Sequence, residues 1–319
     1  MIELRNDSLL VSFPEVHPLA AMTITFEKAF RAARTGLEAS KLSTGAKFPL
    51  KHIDDYAEKI PDALLKRGGV ILPMHQSEAL AIRFMPHKAQ AADGSLYKND
   101  DDKSWYPFIV AVGCGLINAV SGGGIKDKLS ANPQNYLFID EPATLYGMND
   151  RSGATRQFIA SPLGKGITVE EQLTGSAEYG GIQLIISPLK KKTFEEHYAL
   201  QFPYNMPQEC GTVRSCVSKA FSLAERALPR PRKIKSCRDY YCEDLSMGIS
   251  HGERICSTFN DDIYELADWD RKHYSRCFTH ILNSDAWREI TGEEPEATAL
   301  SEEQYRRHGV SWKQEYNEK

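Results

Sequence analysis

The sequence predicts a β-rich α+β protein with an antiparallel β-sandwich or barrel at its core and a few short peripheral helices. Two observations lead to this prediction. Short apolar segments with period-2 alternation recur over the first two-thirds of the chain, separated by clusters of Gly, Pro, Asn, Asp and Ser. Helical stretches of crossover length do not separate these segments, which favours antiparallel pairing of the strands.

The first strands are predicted from alternation and turn chemistry. IELRNDSLLVSF has two strand arms around an Asn-Asp turn, and AMTITFE places Met22, Ile24 and Phe26 on one face. Further strands are predicted at VILPM, EALAIRFM, WYPFIVAV, LINAV, NYLFID, TRQFIAS, ITVEEQL, GGIQLIISPL and RCFTHIL. Strands at this spacing are typical of a sandwich or barrel.

Short helices are predicted at residues 53–67, 285–291 and 301–307. Pro61 suits a first helical turn, because proline has no amide hydrogen to lose there. The second helix has Ser284 as a cap and Gly292 as its stop. Ser301 and Gln304 have the spacing of a capping box at the start of the third.

The chain divides into a main β domain at 1–200, a Cys-rich basic subdomain or insertion at 201–260, and C-terminal elements at 261–319 that pack back on the core. The division follows composition, since residues 213–238 contain eight Lys or Arg and one Glu. The polar segment 88–104, which includes three consecutive aspartates, predicts an exposed, mobile hairpin tip or loop.

The overall composition narrows the choice of compartment and partner. A net charge of -4 gives no general attraction to nucleic acids or anionic lipids. The most apolar stretch, FIVAVGCGLINAV, is shorter than the roughly 20 residues of a membrane helix, and the N-terminus lacks the features of a signal peptide. We therefore expect a cytoplasmic protein whose partner is itself or another protein, with no membrane or nucleic acid.

The stretch QLTGSAEYGGIQLIISPLK contains a glycine-rich loop that could suggest a phosphate site. Gly175 and Gly180 have the separation of a P-loop, but Gly181 stands where the lysine is needed and Ile182 where the hydroxyl is needed. The alternating apolar residues that follow indicate a strand instead of a helix. QLTGSAEYGG is therefore predicted to connect two strands, ITVEEQL and GGIQLIISPL.

Four cysteines are candidates for a structural zinc site, and no other cofactor is predicted. Cys210, Cys216, Cys237 and Cys242 form two pairs about twenty residues apart, and four thiolates can close a tetrahedral site. The spacings within the pairs are five and four residues, unlike the two residues of most zinc knuckles. Free thiols or disulfides are the alternatives.

Five residues are candidates for ligand binding. Trp105 follows the polar segment and could line the rim of a groove. Gln172, Glu178 and Gln183 lie in or beside the glycine-rich connection, and His280 lies in the segment RKHYSRCFTHIL. A helix would place His280 with His273 and Cys277 for metal binding, whereas a strand separates them and favours a hydrogen-bonded histidine.

The sequence carries no local signature of a catalytic nucleophile. HGERIC, at 251–256, is explained by a turn, and adjacent carboxylates on a strand point to opposite faces. The leading hypothesis is a non-enzymatic interaction or scaffold protein that self-assembles through sheet edges. The second is a hydrolase, metal-dependent or not, with a site built from dispersed Asp, Glu and His residues, among them His17, His52, His75, His251 and His280. The third is nucleic-acid binding through the basic strip 230–241.

Several stretches resemble a family of hypothetical proteins from bacteria and fungi. They are LLVSFPEVHP, FPLKHIDDYAEKIP, RGGVILPMHQSEALAIRF, YPFIVAVGCGLINAVSG, RQFIASPLGKGITVEEQLTGSAEYGGIQLIISPLK, MGIS and RCFTHILNSDAWREITGEEP. The basic Cys-rich stretch 210–242 has no counterpart in this pattern. The family has no established activity, so the resemblance implies no mechanism.

Overall fold

The computed structural model describes residues 1–33, 36–125, 128–201, 246–295, 300 and 302–307. The strands in these ranges are β1 (Ile2–Arg5), β2 (Ser8–Ser12), β3 (Ala21–Ala29), β4 (Leu37–Glu38), β5 (Ser43–Lys47), β6 (Lys51–His52), β7 (Val70–Pro73), β8 (Ala79–Pro86), β9 (Leu96–Lys98), β10 (Phe108–Cys114), β11 (Ile117–Asn118), β12 (Leu137–Ile139), β13 (Ala143–Leu145), β14 (Gly147–Asn149), β15 (Thr155–Pro162), β16 (Ile182–Pro188), β17 (Ala199–Gln201), β18 (Ser246–Cys256) and β19 (Ser275–Leu282).

The helices in the described ranges are all short. The α-helices are α1 (Asp62–Leu65), α2 (Val169–Thr174), α3 (Lys191–His197), α4 (Ser284–Thr291) and α5 (Glu302–Arg307), and 3₁₀ helices span Ala39–Leu42, Ile53–Tyr56 and Leu266–Asp268. None of these helices combines the length and the apolar character needed to cross a membrane.

Seventeen of the described strands form one large, mainly antiparallel sheet. Its longest series of antiparallel pairings runs β1–β2–β3–β8–β15–β18–β19–β16–β10–β12. Two strands join in parallel, β4 beside β18 and β7 beside β19. The prediction of a β-rich, antiparallel fold with a few short helices is confirmed.

The part of the sheet around β3 and the part around β10 share one buried core. Met22, Ile24 and Phe26 of β3 are fully buried on one face, as their alternation predicts, and they belong to the same cluster as Val110 of β10. The pairings of the described strands do not close into a barrel. Opposed arms around a common core are the arrangement of a sandwich.

The prediction of a strand at ITVEEQL is wrong, because Val169–Thr174 is the helix α2. Thr168 caps the helix with its side chain, and Glu171 completes a capping box by accepting from the backbone of Thr168. Gly175 ends the helix in the left-handed conformation, at φ 76°. Helix start and stop signals therefore outweigh the β-branched residues in this segment.

Three further expectations from the sequence need correction. HGERIC is not a turn, since it belongs to the long strand β18. Helix α3 was not expected from its sequence, although Lys191 and Lys192 each pair with a glutamate four residues later. The cap of α4 is Asn283 rather than Ser284, and its side chain accepts from the amide of Ala286 at 2.8 Å.

Part of the predicted Cys-rich subdomain lies outside the described residues. Cys210, Cys216, Cys237, Cys242 and the basic strip 230–241 all fall there, as does Ser301 of the predicted capping box. The described end of this region is β18, which lies in the large sheet between β15 and β19. The zinc site, the domain division and the nucleic-acid hypothesis stay predictions.

Candidate functional site

One face of the sheet, formed by β10, β16 and β19, is turned away from the core. On β16, Leu184 and Ile186 are fully buried in the core, whereas Gln183 and Ile185 point to the opposite side and are half-buried. Ile185 lies in register with Ala111 on one neighbouring strand and Arg276 on the other. A row of side chains therefore crosses three strands on the outer side.

A groove of about 660 Å³ lies on this outer face. Its floor is formed by buried or half-buried residues and its walls by Lys128, Arg271, Arg276 and Tyr274, the last of which is 51% exposed. The full lining is Ala111, Lys128, Leu129, Ile185, Ser187, Arg271, Tyr274 and Arg276. We call this the basic groove, because it contains three cations and no carboxylate among the described residues.

Two of the three cations of the basic groove are available to a partner. Lys128 and Arg271 make no ion pair with any residue that the structure describes. The acid in the same turn, Asp270, is hydrogen-bonded within the turn, where it accepts from the amides of Lys272 and His273 at 2.9 Å. The groove therefore presents positive charge beside an aromatic ring.

An aromatic strip continues from the groove along β19. The guanidinium of Arg67 lies 4.2 Å from the ring centre of Tyr179, which stacks on Phe278 at a centroid distance of 6.5 Å. Phe278 stacks in turn on His280 at 6.1 Å. Because Phe278 follows Arg276 by two residues on the same strand, the strip adjoins the groove. We call the groove and this strip together the binding face.

The glycine-rich connection before β16 is closed around an internal carboxylate. Glu170 of α2 is 2% exposed and accepts from the amides of Tyr179, at 3.1 Å, and Gly180, at 2.7 Å. Burial raises the pKa of Glu170 above its ordinary value, although these hydrogen bonds act in the opposite direction. The amides that a phosphate would need are thus bound to Glu170, which also fixes Tyr179 at the binding face.

Replacing Glu170 with alanine is expected to lower the free energy of unfolding by about 3 kcal/mol, because the buried amide of Gly180 and the partly buried amide of Tyr179 lose their acceptor. Glu178→Ala is the matched control, since this carboxylate is exposed. Urea unfolding monitored by circular dichroism measures both effects. Equal stability of the two variants would show that Glu170 does not hold the connection.

Three of the five candidate ligand-binding residues lie at or beside the binding face. Gln183 pairs with Phe278, and Glu178 contributes its backbone carbonyl, which accepts from Arg67 at 2.9 Å. His280 lies at the end of the strip, but it is 4% exposed and its Nε2 is 3.0 Å from the carbonyl of Gly68. Burial lowers the pKa of His280 to about 4, so it is a neutral core histidine.

The other two candidates lie elsewhere. Trp105 packs against the ammonium of Lys88, which is 5.4 Å from its ring centre. Gln172 is exposed on α2 and donates to the carbonyl of Ile167 at 3.1 Å. The four residues of the groove walls were not among the candidates from the sequence, although the basic stretch RKHYSR, which leads into β19 and contains three of them, was a usable signal.

The histidines proposed for a hydrolase do not converge on one cavity. His17 packs between Tyr106 and Phe194, and His75 bonds to the hydroxyl of Ser284 at 2.8 Å. His251 lines a second, smaller cavity without any of the other four. Among the described residues, no three Cys, His, Asp or Glu side chains are placed to hold a metal ion.

A scan against protein-family models and searches of curated proteins and of solved structures found no match to this chain. The resemblance to bacterial and fungal proteins therefore stays a prediction. The geometry of the binding face is the basis on which a function can be proposed.

Proposed function

We propose that this protein is a non-enzymatic interaction protein that self-associates, with the binding face of one copy receiving an acidic turn of a second copy. The observation that carries the proposal is the basic groove, whose cations and tyrosine surround an apolar floor. Arginine and tyrosine are enriched where proteins bind each other, and apolar area at the centre of an interface supplies affinity.

The acidic turn spans residues 99–103 in the polar segment. Its backbone is closed by hydrogen bonds from the amide of Asn99 to the carbonyl of Lys103 and from the amide of Asp102 to the carbonyl of Asn99, both at 3.0 Å. Asp100 and Asp101 are exposed at its tip and make no ion pair with the residues that the structure describes. Two adjacent carboxylates are thus held in a pre-formed turn.

The charges of the turn and the groove are complementary, which supports a second copy of this chain as the occupant. Exposed ion pairs contribute only about 0.2–1 kcal/mol each. Burial of Leu129, Ile185 and Tyr274 would add about 25 cal/mol per Å² of apolar area. We therefore expect a weak association, with a dissociation constant on the order of 100 µM, that salt disrupts.

The mode of assembly follows from the two different surfaces involved. Contact between unlike surfaces is heterologous and builds rings or open chains rather than two-fold dimers. This mode uses a sheet face, and assembly through sheet edges stays a prediction. A scaffold role is consistent with such assembly.

Reversing the charge of the groove is expected to abolish the association. Sedimentation equilibrium of Arg271→Glu/Arg276→Glu at low salt should show monomer, while wild type shows a mass average that rises with concentration and falls in high salt. The control Lys41→Glu/Lys165→Glu makes the same charge change at exposed lysines outside the groove, and it should associate like wild type. Loss of association in both variants, or in neither, would contradict the proposal.

The hydrolase hypothesis is the weaker one on the geometry. An active site built from dispersed histidines should bring at least two of them into a pocket with carboxylates. The smaller cavity contains His251 and Asp150 but none of the other four histidines. Hydrolysis therefore stays a prediction.

A further inference from the structure

The smaller cavity, of about 340 Å³, lies between α2 and the strands β14, β15 and β18, and it shares no lining residue with the basic groove. One wall is apolar, with Ile117, Val169 and Leu173. The opposite wall is polar, with Asn149, Asp150, Arg151, Ser152, Arg156 and His251. A concave, largely apolar site with a few converging polar groups is the usual form of a small-molecule pocket.

The polar wall interrupts an otherwise apolar surface. His251 lies in register with Phe158, and Arg156 precedes Phe158 by two residues, so both occupy core-facing positions. The next such positions on these strands, Ala160 and Ile249, are buried in the core. A β-bulge separates the pairings of Arg156 and Phe158. Bulges commonly redirect side chains beside functional sites.

Arg156 is held in a fixed orientation by Asp150. Its Nε donates to Asp150 Oδ2 at 2.9 Å, and Asp150 Oδ1 accepts from the amides of Ser152, at 2.8 Å, and Ala154, at 3.1 Å. The hydroxyl of Ser152, together with Arg156 and these amides, holds the pKa of Asp150 well below its ordinary value. Asp150 is therefore ionised at neutral pH and holds the guanidinium of Arg156 in place.

Two polar groups on this wall have no hydrogen-bond partner among the described residues and could bind a ligand. No residue that the structure describes accepts from Nη2 of Arg156. Nε2 of His251 is buried and has no hydrogen-bond partner among the described residues. Burial and the charge of Arg156 lower the pKa of His251, so the ring is neutral and can donate from Nε2. Buried polar atoms without a partner are uncommon and call for one.

The charge around the cavity favours an anion. Arg151 and Arg156 line it, and Nη2 of Arg254 lies 4.0 Å from Asp150. Among the described residues that line the cavity, the two guanidinium groups outnumber the single carboxylate, Asp150. An added carboxylate would restore the balance and could bond to Arg156 in a charge-assisted hydrogen bond.

We propose that this cavity binds a small carboxylate that carries one apolar ring or a branched chain. The carboxylate bonds to Arg156 and His251, and the apolar part packs against Val169 and Leu173. The volume suits a ligand of about one ring, at the lower end of the range for pockets. This inference is independent of the self-association proposed above, because none of the cavity's residues lines the basic groove.

Three probes of the same shape and different charge test the proposal. Benzoate, benzamide and benzamidine are titrated into the full chain, and chemical-shift changes of ¹³C-labelled histidine and of methyl groups report binding. We expect benzoate to bind with a dissociation constant of about 1 mM or less. Benzamide should bind at least about tenfold more weakly, because it lacks the charge, and benzamidine should not bind. Equal binding of benzoate and benzamidine would overturn the proposal.

Two variants locate the binding in the cavity. Arg156→Met removes the charge while Asp150 keeps its bonds to the turn, and Leu173→Phe fills the cavity without removing a polar group. Both should lose at least about tenfold in benzoate affinity, whereas Gln172→Ala on the exposed side of α2 should match wild type. Thermal unfolding of each variant checks its fold. Unchanged benzoate affinity in a folded Leu173→Phe protein would place the probe elsewhere and refute the site.

Discussion

Replacing Glu78 with leucine is expected to lower the free energy of unfolding by about 3–5 kcal/mol, because the buried ammonium of Lys28 loses its carboxylate. The two side chains are 3% and 4% exposed, and Lys28 Nζ lies 2.7 Å from Glu78 Oε1. Glu78 Oε2 also accepts from the amide of His75 at 3.0 Å. The pair joins β3 to the residue before β8, and the alternation of β3 places Lys28 on the same face as Met22, Ile24 and Phe26.

A double-mutant cycle measures this pair directly. Lys28→Met and Glu78→Leu should each be strongly destabilising. The double variant should lose much less stability than the sum of the two single losses, because it leaves no unpaired charge buried. Glu196→Leu is the control, since its pair with Lys192 is exposed and should change stability by about 0.5 kcal/mol or less. Additive losses in urea unfolding would mean that the two charges are not coupled.

Among glycine-to-alanine substitutions in the described part of the chain, Gly69→Ala is expected to be the most destabilising. It should lower the free energy of unfolding by about 4 kcal/mol or more. Gly69 has φ 94°, and an added Cβ would overlap the carbonyl oxygen of Phe278 and lie 2.9 Å from its carbon. Gly69 precedes β7, which runs parallel to β19, so the strand would have to move. Phe278 belongs to the binding face, and the substitution should disturb that as well.

The preceding glycine supplies the control for Gly69. Gly68 also has a positive φ, of 64°, but no atom lies within 4 Å of its would-be Cβ. Gly68→Ala should therefore cost only the left-handed backbone conformation, about 1–2 kcal/mol. Equal losses for both variants in urea unfolding would show that contact with Phe278 is not what requires glycine at residue 69.

The strands could be predicted from the sequence because burial on one face imposes a period of two. Met22, Ile24 and Phe26 show it on β3, and Leu184 and Ile186 show it on β16. The segment ITVEEQL is a helix although it begins with three β-branched residues, which favour strands, because Thr168 and Glu171 form a capping box. Short segments are ambiguous in this way, because few residues define their period.

The sites could not be predicted, because long-range pairing assembles them. Ala111, Ile185 and Arg276 meet only through the register of β10, β16 and β19, which local patterns do not specify. Arg156 and His251 likewise share a cavity only through the pairing of β15 with β18. The role of Glu170 could not be predicted for another reason. Its partners are backbone amides, and these are present in almost every residue type.

Sedimentation velocity of two oppositely altered variants, separately and mixed, tests the central claim most directly. Arg271→Glu/Arg276→Glu has an acidic groove and an acidic turn, and Asp100→Lys/Asp101→Lys has both surfaces basic. The second variant is near neutrality, since its substitutions add positive charge to a chain of net charge -4, so general attraction between the two is small. We predict that each variant alone is monomeric at low salt and that their equimolar mixture forms larger species that salt dissociates. A mixture that sediments as monomer, while wild type associates, would contradict the pairing of groove and turn, and a monomeric wild type would contradict self-association itself.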